Sequence, residues 1–581
     1  MANVRRDERL YQLATLALWA ILVARAAMVP FVHDECASLY WYAEPGVFLP
    51  PHAHPDANNH VLSSGLGALF VHLFGTSLLS ARLGSVLAFP LYAWAIWRLA
   101  GDLRDRIVRW CTWAALLACP FAFEFFALFR GYALELAFLG VALDGLLRWM
   151  RERRTIALLQ VLTGLALANA AVLALIPLWG VVLTGIAVSM FRAAPLRRAQ
   201  VALWVALGIG PFLIAVDHAF DLRAQGLLYH GSTDGFVAVT VASLCRWVLG
   251  ADGWLWRGAV MLVVLVAAVV VVRQRAWATP LAVFAGLLLA DALVRVAMAV
   301  SLGVNHAEDR AGLHLVPLWL LIAGHVVDTW SAQRPLARLA ALLLLVFPLR
   351  TVAGLNFDHT ALWAEQSVPE RFLARIASLE RQLGRPPVVG AYHQLGFSVP
   401  LNGRPFGTPV PHASDFPAGW HDVRIADGRH LEAAMQGFIV EDVHGGTGLH
   451  LMRRVRPLAI TPVDSLMVDP PLRPQGYFDL VAVPATPEPR AVEVSCMLNA
   501  DGPLHDLVLA VVAQDSTGRE LAHEEVRPAL QRPRWRGERF IALRVLQPVP
   551  GAVRHVLYFW NAPRRPVQFG AVQVRIHRIQ P

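Results

Sequence analysis

The stretch YQLATLALWAILVARAAMVPFVHDEC, residues 11–36, places a long apolar segment directly before two carboxylates, Asp34 and Glu35. An α-helix needs about 20 mostly apolar residues to cross a bilayer, and residues 11–30 supply such a segment. The segment lacks a small-residue cleavage site, which favours an uncleaved first span over a signal peptide. Two acids at a membrane boundary are costly to desolvate, so packing alone does not explain them. The stretch therefore predicts a membrane helix that ends at a functional site.

The composition of the whole chain is that of a membrane protein. Of its 581 residues, 56% are hydrophobic and only 16% are charged, whereas soluble domains carry about 25% charged residues. The mean hydropathy is +0.48, and the 19 tryptophans suit a chain with many bilayer interfaces. The net charge of +9 is spread over short loops, which favours a role in membrane orientation over nucleic-acid binding. The five cysteines are too scattered for a disulfide framework.

Hydropathy predicts about eleven membrane spans. They cover residues 11–30, 80–100, 110–128, 131–150, 156–170, 172–191, 201–216, 254–272, 278–300, 311–328 and 336–352. The pair at 156–191 also fits a single kinked helix, which would change the parity of the count.

Arginine positions predict that the N-terminus is cytoplasmic and the C-terminal region lies on the opposite face. With that orientation every cytoplasmic loop is rich in arginine, as the positive-inside rule requires. These arginines are Arg5, Arg6, Arg9, Arg98, Arg104, Arg106, Arg109, Arg148, Arg151, Arg153, Arg154, Arg192, Arg197, Arg198, Arg273, Arg275, Arg334 and Arg338. Merging the 156–191 pair would reverse everything downstream, so the same pattern supports eleven spans.

The sequence changes character at about residue 354, where proline becomes frequent and long apolar runs stop. We predict three regions: a transmembrane domain over 1–353, a mixed α/β connecting region over 354–456, and a β-sandwich of jelly-roll type over 457–581. The connecting region contains a predicted amphipathic helix at 366–384 and short strands at 387–391 and 449–453. Predicted sandwich strands cover 491–497, 507–514, 538–546, 554–560 and 569–576. The sandwich either binds glycans or braces the membrane part, because fold alone does not fix function.

Polar motifs cluster on the predicted outer face. The first outer loop contains HDE at 33–35, PHAHPDANNHVLSS at 51–64 and LFGTS at 73–77, and ARL follows at 81–83; FRGY follows at 129–132, EDR at 308–310 and PL at 317–318. In order and spacing these motifs resemble those of the GT-C glycosyltransferases that use polyprenyl-phosphate sugars. That class includes protein O-mannosyltransferases, the aminoarabinose transferases of lipid A and many bacterial relatives. The resemblance is to the bacterial branch and covers about residues 10–370.

This resemblance implies a GT-C-like helical fold and an inverting transfer of a sugar from a polyprenyl-phosphate donor to a hydroxyl acceptor. The implied location is the periplasmic face of a bacterial inner membrane. The implied partners are the lipid-linked donor, membrane lipids and a glycan, lipid or protein acceptor, with no nucleic acid. No cofactor is expected. A divalent metal stays possible but is not favoured, because the loop histidines (His33, His52, His54 and His60) lack zinc-type pairing and the O-mannosyltransferases resemble metal-independent enzymes.

The two carboxylates suit the chemistry that such a transfer needs. A base must deprotonate the acceptor, and Asp34 is the predicted base. Glu35 is predicted to orient Asp34 or the acceptor, because adjacent residues on a helix point about 100° apart. The alternative is that the acidic pair only caps a following helix at 36–42.

Two arginines and a tyrosine are predicted to contact the donor. Arg130 and Arg310 each lie beside an apolar span, where a guanidinium can hold a phosphate with two hydrogen bonds. The alternative for both is snorkelling or an ion pair with a nearby acid. Tyr132 either stacks on the sugar or packs in the core.

Three hydrogen-bonding residues, Asn58, Asn59 and His60, precede a predicted apolar helix. They either bind sugar hydroxyls or pin the loop; the resemblance favours binding.

Most of the other charged residues are predicted to be structural. Glu124 is either a second carboxylate of the site or the partner of Arg130, and Asp144 is expected to be structural. Asp291 and Arg295 are four residues apart and are predicted to form a buried ion pair. Asp217 and His218 are predicted to open an outer loop that extends to residue 253.

Two other functions compete with sugar transfer. A transporter or flippase of lipid-linked glycans would place charges near the bilayer midplane and use discontinuous helices in repeats. This chain gathers its polar residues at one face instead. A glycan polymerase or ligase would need a different arginine and histidine arrangement in a large outer loop, and the 217–253 loop is only modest in size.

Overall fold

The computed structural model describes residues 2–192, 198–414, 419–471 and 473–580. Arg197, one of the arginines used to predict orientation, lies outside these residues. The chain divides into two compact units. We call Met1–Ala27 with Gly46–Asn356 the helical unit, and Met28–Pro45 with Phe357–Pro581 the β-containing unit. The turn that carries Asp34 and Glu35 therefore belongs to the same compact unit as the C-terminal region.

The first part of the chain is helical. Its α-helices are α1 (Ala2–Met28), α2 (His33–Ser38), α3 (Val61–Phe74), α4 (Leu78–Ala100), α5 (Arg106–Leu117), α6 (Pro120–Phe125), α7 (Tyr132–Glu152), α8 (Thr155–Ala171), α9 (Ile176–Arg192), α10 (Arg198–Leu203), α11 (Gly210–Ala224), α12 (Ala242–Leu249), α13 (Trp254–Gln274), α14 (Pro280–Leu302), α15 (Leu315–Ser331) and α16 (Val346–Ala353). π-helical turns cover Leu39–Ala43, Trp204–Ile209 and Val237–Val241, and 3₁₀ turns cover Leu173–Leu175, Asp309–Gly312 and Pro335–Leu345.

The helical unit is that of a multi-pass membrane protein. Seven of the described helical segments are long and apolar enough to cross a bilayer: Arg6–Met28, Leu78–Ala100, Leu173–Arg192, Arg198–Ala224, Trp254–Gln274, Pro280–Leu302 and Pro335–Ala353. Shorter apolar helices cover Val61–Phe74, Thr155–Ala171, Val237–Leu249 and Leu315–Ser331. The exact number of spans and their orientation stay predictions.

Two local breaks decide how the apolar segments divide. The predicted span at 110–128 is not one continuous helix, because α5 ends at Leu117 and α6 begins at Pro120. Proline forces the preceding residue, Cys119, into extended backbone, which interrupts the helix. The pair at 156–191 is two separate helices, since Val172 is extended (φ −143°, ψ 112°) between α8 and α9.

The predicted start of the outer loop at residue 217 is wrong, because the helix continues past this position. Asp217 and His218 lie inside α11, which continues to Ala224. Hydropathy falls at these polar residues, but the stretch contains no glycine or proline before Gly226 to end the helix.

The β-containing unit begins with a mixed α/β region. This region contains the helices α17 (Glu370–Leu383), α18 (Leu395–Gly403) and α19 (Leu431–Ala434), with 3₁₀ turns at Ala364–Gln366 and Arg404–Phe406. A further short helix, α20 (Pro528–Gln531), lies later in the unit, between two strands of the antiparallel sheets. The five-stranded sheet of the mixed α/β region has the order β2-β1-β3-β5-β4, with β1 parallel to β2 and β3. The strands are β1 (Val389–Tyr392), β2 (His412–Ser414), β3 (Val423–Ala426), β4 (Phe438–His444) and β5 (Leu449–Arg454).

The predicted amphipathic helix forms α17, although it starts at Glu370 because Pro369 precedes it. Phe372, Leu373, Ile376 and Leu379 are buried against the sheet, at the helical spacing that the sequence shows.

Two antiparallel sheets follow, as the sequence predicts. Their strands are β6 (Ala459–Val468), β7 (Tyr477–Pro484), β8 (Arg490–Asn499), β9 (Val508–Gln514), β10 (Glu520–Val526), β11 (Arg536–Leu546), β12 (Arg554–Trp560), β13 (Gln568–Phe569) and β14 (Val572–Gln580). The orders are β10-β9-β12-β7 and β11-β8-β14-β6, and β13 pairs with β8. Phe559 of the first sheet contacts Phe540 and Phe569 of the second, with ring centroids 6.1 and 4.9 Å apart. The predicted strand at 569–576 is divided between β13 and β14, which are separated by residues 570 and 571.

Candidate active site

The acidic pair Asp34 and Glu35 lies in the first turn of α2 rather than before a helix at 36–42. Glu35 is fully buried, and its Oε2 accepts the backbone N–H of Val32 at 3.2 Å. Glu35 thus satisfies a backbone donor at the start of its own helix, a capping role. Asp34 is half-buried. The two acids therefore differ in environment, while their division into a base and its support stays a prediction.

The backbone around Asp34 is fixed by residues more than three hundred positions away. The His33 N–H donates to Oε1 of Gln366 at 3.1 Å, and His33 Nδ1 lies 2.9 Å from the carbonyl oxygen of Gln394. The Gln366 side chain in turn donates to Oε1 of Gln394 at 3.0 Å. The mixed α/β region therefore holds the turn that presents Asp34. Sequence reasoning missed both glutamines, because neither lies in a recognisable motif.

A second anchor follows α2 in the same unit. Glu44 accepts two hydrogen bonds from Arg404, at 2.5 and 3.2 Å, and its Oε2 lies 3.1 Å from Nε2 of His505. Burial alone would raise the pKa of Glu44, but Arg404 and His505 outweigh it and hold that pKa below its ordinary value. The segment that contains Asp34 is thus tied down at both ends.

In the helical unit, the turn at Arg130 brings three predicted site residues together. The His60 and Tyr132 rings meet edge to face with centroids 5.0 Å apart, and the Arg130 guanidinium lies 5.9 Å from the centre of the Tyr132 ring. His60 Nδ1 lies 2.8 Å from the carbonyl oxygen of Ala171 at the end of α8. Arg130 and His60 are both buried.

Gly131 allows this close approach. A Cβ at this position would lie 2.0 Å from the Ala171 carbonyl oxygen and 2.9 Å from Cγ of His60. Because the first of these contacts is with backbone, the clash cannot be relieved by rotating a side chain. The glycine of the RGY motif thus has a packing reason.

The substitution Gly131→Ala is expected to destabilise the protein by about 2 kcal/mol, since it overpacks this turn. Thermal unfolding of the purified protein in detergent, followed by tryptophan fluorescence, measures the loss. Gly286→Ala is the matched control, because a Cβ at this glycine of α14 meets nothing within 4 Å. An equal unfolding temperature for both variants would contradict the packing argument.

Asn58 and Asn59 lie in the turn before α3, which begins at Val61. The Asn59 side chain donates to the carbonyl of Phe48 at 2.9 Å and accepts from the Ser64 hydroxyl at 3.0 Å. The Asn58 backbone N–H donates to Oδ1 of Asp56 at 2.9 Å. Asn59 therefore pins the loop, which is one of the two roles considered for it, while a sugar contact by either residue stays a prediction.

Arg310 lies in the 3₁₀ turn Asp309–Gly312 and is half-buried. The turn is tied to α12, because Asp309 accepts the indole N–H of Trp247 at 2.8 Å and donates its backbone N–H to the Ser243 hydroxyl at 2.8 Å. The role of Arg310 in phosphate binding stays a prediction.

A cavity of about 270 Å³ opens within the helical unit beside His60 and Tyr132. Its wall is mainly apolar and comes from the α8–α9 connection, from α11 and from the end of α14, through residues such as Val172, Phe220 and Met298. The charged and hydrogen-bonding residues in its lining are His60, Tyr132, Arg223, His230, Arg295 and Asn305. An apolar cavity with a few polar groups is the usual form of a small-molecule or lipid site.

Three acids singled out in the sequence have arginine partners in the helical unit. Asp291 and Arg295 form the predicted buried ion pair, with a separation of 2.7 Å. Asp144 accepts from Arg98 at 2.9 Å. Glu124 accepts two hydrogen bonds from Arg25, at 2.7 and 2.8 Å. Sequence reasoning passed over Arg25 because it lies within the apolar segment that defines the first span.

Within the described residues, no group of three or more His, Cys, Asp or Glu side chains is arranged to hold a metal ion.

Comparison with solved structures finds proteins of similar architecture. ArnT from Cupriavidus metallidurans in the apo state is 15% identical, covers 78% of this chain and 98% of its own, and has a TM-score of 0.44. A structure of the same protein bound to undecaprenyl phosphate is 14% identical, covers 76% of this chain and 97% of its own, and has a TM-score of 0.44. The arabinosyltransferase EmbB from Mycobacterium smegmatis is 12% identical, covers 98% of this chain and 64% of its own, and has a TM-score of 0.38. An oligosaccharyltransferase from Archaeoglobus fulgidus is 10% identical, covers 96% of this chain and 96% of its own, and has a TM-score of 0.42.

Every TM-score is below 0.5 and no identity exceeds 15%, so these likenesses do not bear on the activity of this chain. No protein-family model matches the chain, and no curated protein matches it in sequence.

Proposed function

We propose that the protein is a membrane glycosyltransferase that moves a sugar from a polyprenyl-phosphate donor to a hydroxyl acceptor. The observation that carries this proposal is the cavity of the helical unit. Its apolar wall suits isoprenoid units, and two residues singled out in the sequence for donor binding, His60 and Tyr132, both line it. Those two residues are more than seventy positions apart in the chain, so their meeting is a property of the fold.

The proposed reaction is a single displacement at the anomeric carbon. The acceptor oxygen forms a bond to that carbon while the bond from carbon to the phosphate oxygen breaks, and its electron pair leaves with the phosphate. The acceptor proton passes to the Asp34 carboxylate, which acts as general base. One displacement inverts the anomeric configuration.

Six other site residues have proposed parts in this reaction. Arg130 and Arg310 stabilise the negative charge that grows on the leaving phosphate, a form of electrostatic help that is often the largest catalytic effect. Glu35 caps α2 and so supports Asp34. Asn58, Asn59 and His60 are proposed to contact the sugar or to hold the loop that does. The reaction as written needs no metal and no cofactor.

The proposed setting is the periplasmic face of a bacterial inner membrane. The apolar helices support the membrane location, and the arginine-rich loops support the orientation. The acceptor is a hydroxyl of a glycan, a lipid or a protein.

The proposal is tested by giving the purified protein a radiolabelled polyprenyl-phosphate sugar together with envelope fractions from a strain that lacks the protein. We expect label to appear in one acceptor fraction while polyprenyl phosphate is released in equal amount. A protein that moves intact donor across vesicles without releasing polyprenyl phosphate would be a transporter, and that result would overturn the proposal.

A further inference from the structure

Four ionisable side chains meet beside the cavity of the helical unit. Glu135 comes from α7, Asp291 and Arg295 come from α14, and His314 lies directly before α15. Glu135, Asp291 and His314 are completely buried, and Arg295 is only 9% exposed. Such charges are costly to bury unless they compensate one another, so their arrangement has a structural or functional reason.

The distances show a connected cluster. His314 Nδ1 lies 3.5 Å from Oε1 of Glu135, and His314 Nε2 lies 3.5 Å from Oδ2 of Asp291. The same Nε2 is 3.2 Å from Nη2 of Arg295. The imidazole thus bridges two carboxylates and touches the guanidinium.

The guanidinium of Arg295 is held on two of its three nitrogens. Its Nε donates to Asp291 at 2.7 Å, and its Nη2 donates to the carbonyl oxygen of Ala174 at 2.7 Å. With these two nitrogens fixed, the plane of the group cannot turn. Among the described residues, Nη1 has no hydrogen-bond partner.

Arg295 is also part of the cavity lining, where most of its neighbours are apolar. A guanidinium N–H in apolar surroundings needs an acceptor, and an anionic oxygen is the acceptor that it binds most strongly. An ion pair that only joined two turns of α14 would need no group other than Asp291 and Arg295. The presence of His314 and Glu135 is explained if these residues fix the orientation of the Arg295 guanidinium.

We propose that Arg295 binds the phosphate group of the lipid-linked substrate and that Glu135, Asp291 and His314 are positioning residues for its guanidinium. The inference deepens the proposed function and rests on it for the isoprenoid nature of the lipid. The apolar wall holds the first isoprene units, and the fixed guanidinium holds the phosphate.

The test measures binding rather than sugar transfer. Purified full-length protein in detergent is titrated with geranylgeranyl phosphate, with geranylgeraniol and with inorganic phosphate. We expect the native protein to prefer geranylgeranyl phosphate over the alcohol and to bind inorganic phosphate weakly. The double variant Asp291→Asn/Arg295→Gln should weaken binding of the phosphate lipid by about tenfold or more and leave binding of the alcohol unchanged.

The double variant is used because removing both partners of a buried ion pair is far less disruptive than removing one. Binding of the alcohol reports that the cavity is intact. His314→Gln should lower the preference for the phosphate lipid over the alcohol, whereas a purely structural role would weaken both ligands together.

Several outcomes would overturn the inference. These are a double variant that keeps the phosphate preference, a His314→Gln variant with native selectivity, or inorganic phosphate that binds as well as the lipid. Failure here is separable from failure of the proposed function. Transfer with normal lipid binding in the double variant contradicts only the role of Arg295, while selective binding without any sugar transfer contradicts only the enzyme activity.

Discussion

Replacing Asp34 with asparagine is expected to lower the rate of sugar transfer by about two to four orders of magnitude. Asparagine has nearly the same shape as aspartate but cannot take up the proton of the substrate hydroxyl. The substitution leaves the Glu35 cap and the hydrogen bonds of the His33 backbone in place, so the fold is expected to survive. Initial rates at saturating donor and acceptor, together with the unfolding temperature, measure both effects.

Two further variants make the Asp34 result specific. Asp479→Asn removes an exposed acid from β7 and should transfer sugar at the native rate. Glu35→Gln keeps an oxygen that can accept the Val32 N–H, so its loss of rate should be much smaller than that of Asp34→Asn. A fully active Asp34→Asn protein would refute the assignment of the base.

The substitution Glu44→Gln is expected to destabilise the protein by about 3–5 kcal/mol, because it removes one member of a buried ion pair. Arg404 and Glu44 have side chains only 13% and 2% exposed, so water cannot compensate the guanidinium. The change also loosens the segment that contains Asp34. Denaturant or thermal unfolding of the full chain measures the loss.

The pH dependence of unfolding tests whether the negative charge of Glu44 causes this difference in stability. The folded-state pKa of Glu44 lies below its ordinary value of 4.5, so its ionised form stabilises the fold above that pH. This contribution is lost as the pH falls below 4.5 through the folded-state pKa. The native protein should therefore lose more stability on acidification than Glu44→Gln. The exposed control Glu488→Gln should behave like the native protein, and parallel pH profiles for all three would contradict the argument.

The helical part of the fold was predictable because the bilayer imposes a length on each apolar segment. For 156–191 that length left a single kinked helix open, and the arginine pattern favoured the two separate helices, α8 and α9, that the structure shows. That length did not reveal the helix break inside 110–128, because hydropathy does not register that Pro120 forces the residue before it out of helical backbone. It also placed the end of α11 too early, since polar residues such as Asp217 extend a helix beyond its apolar part.

The candidate site was predictable where its signals are local. Asp34 stands out because it follows an apolar run, and Asp291 and Arg295 stand out because they are four residues apart on one helix. The partners of these groups could not be predicted. Gln366 approaches His33 from 333 positions away, and His314 approaches Arg295 from another segment, so only the folded chain brings them together.

Photocrosslinking tests most directly whether the cavity holds the lipid-linked substrate. A polyprenyl-phosphate probe with a photoreactive group on its first isoprene units is irradiated with the purified protein, and the labelled peptides are identified by mass spectrometry. We predict labelling within residues 172–177, 216–228 and 298–311, the segments that contain most of the residues lining the cavity. We also predict that this labelling is lost when unlabelled polyprenyl phosphate is added. Labelling confined to other helices, or labelling that polyprenyl phosphate does not displace, would contradict the assignment.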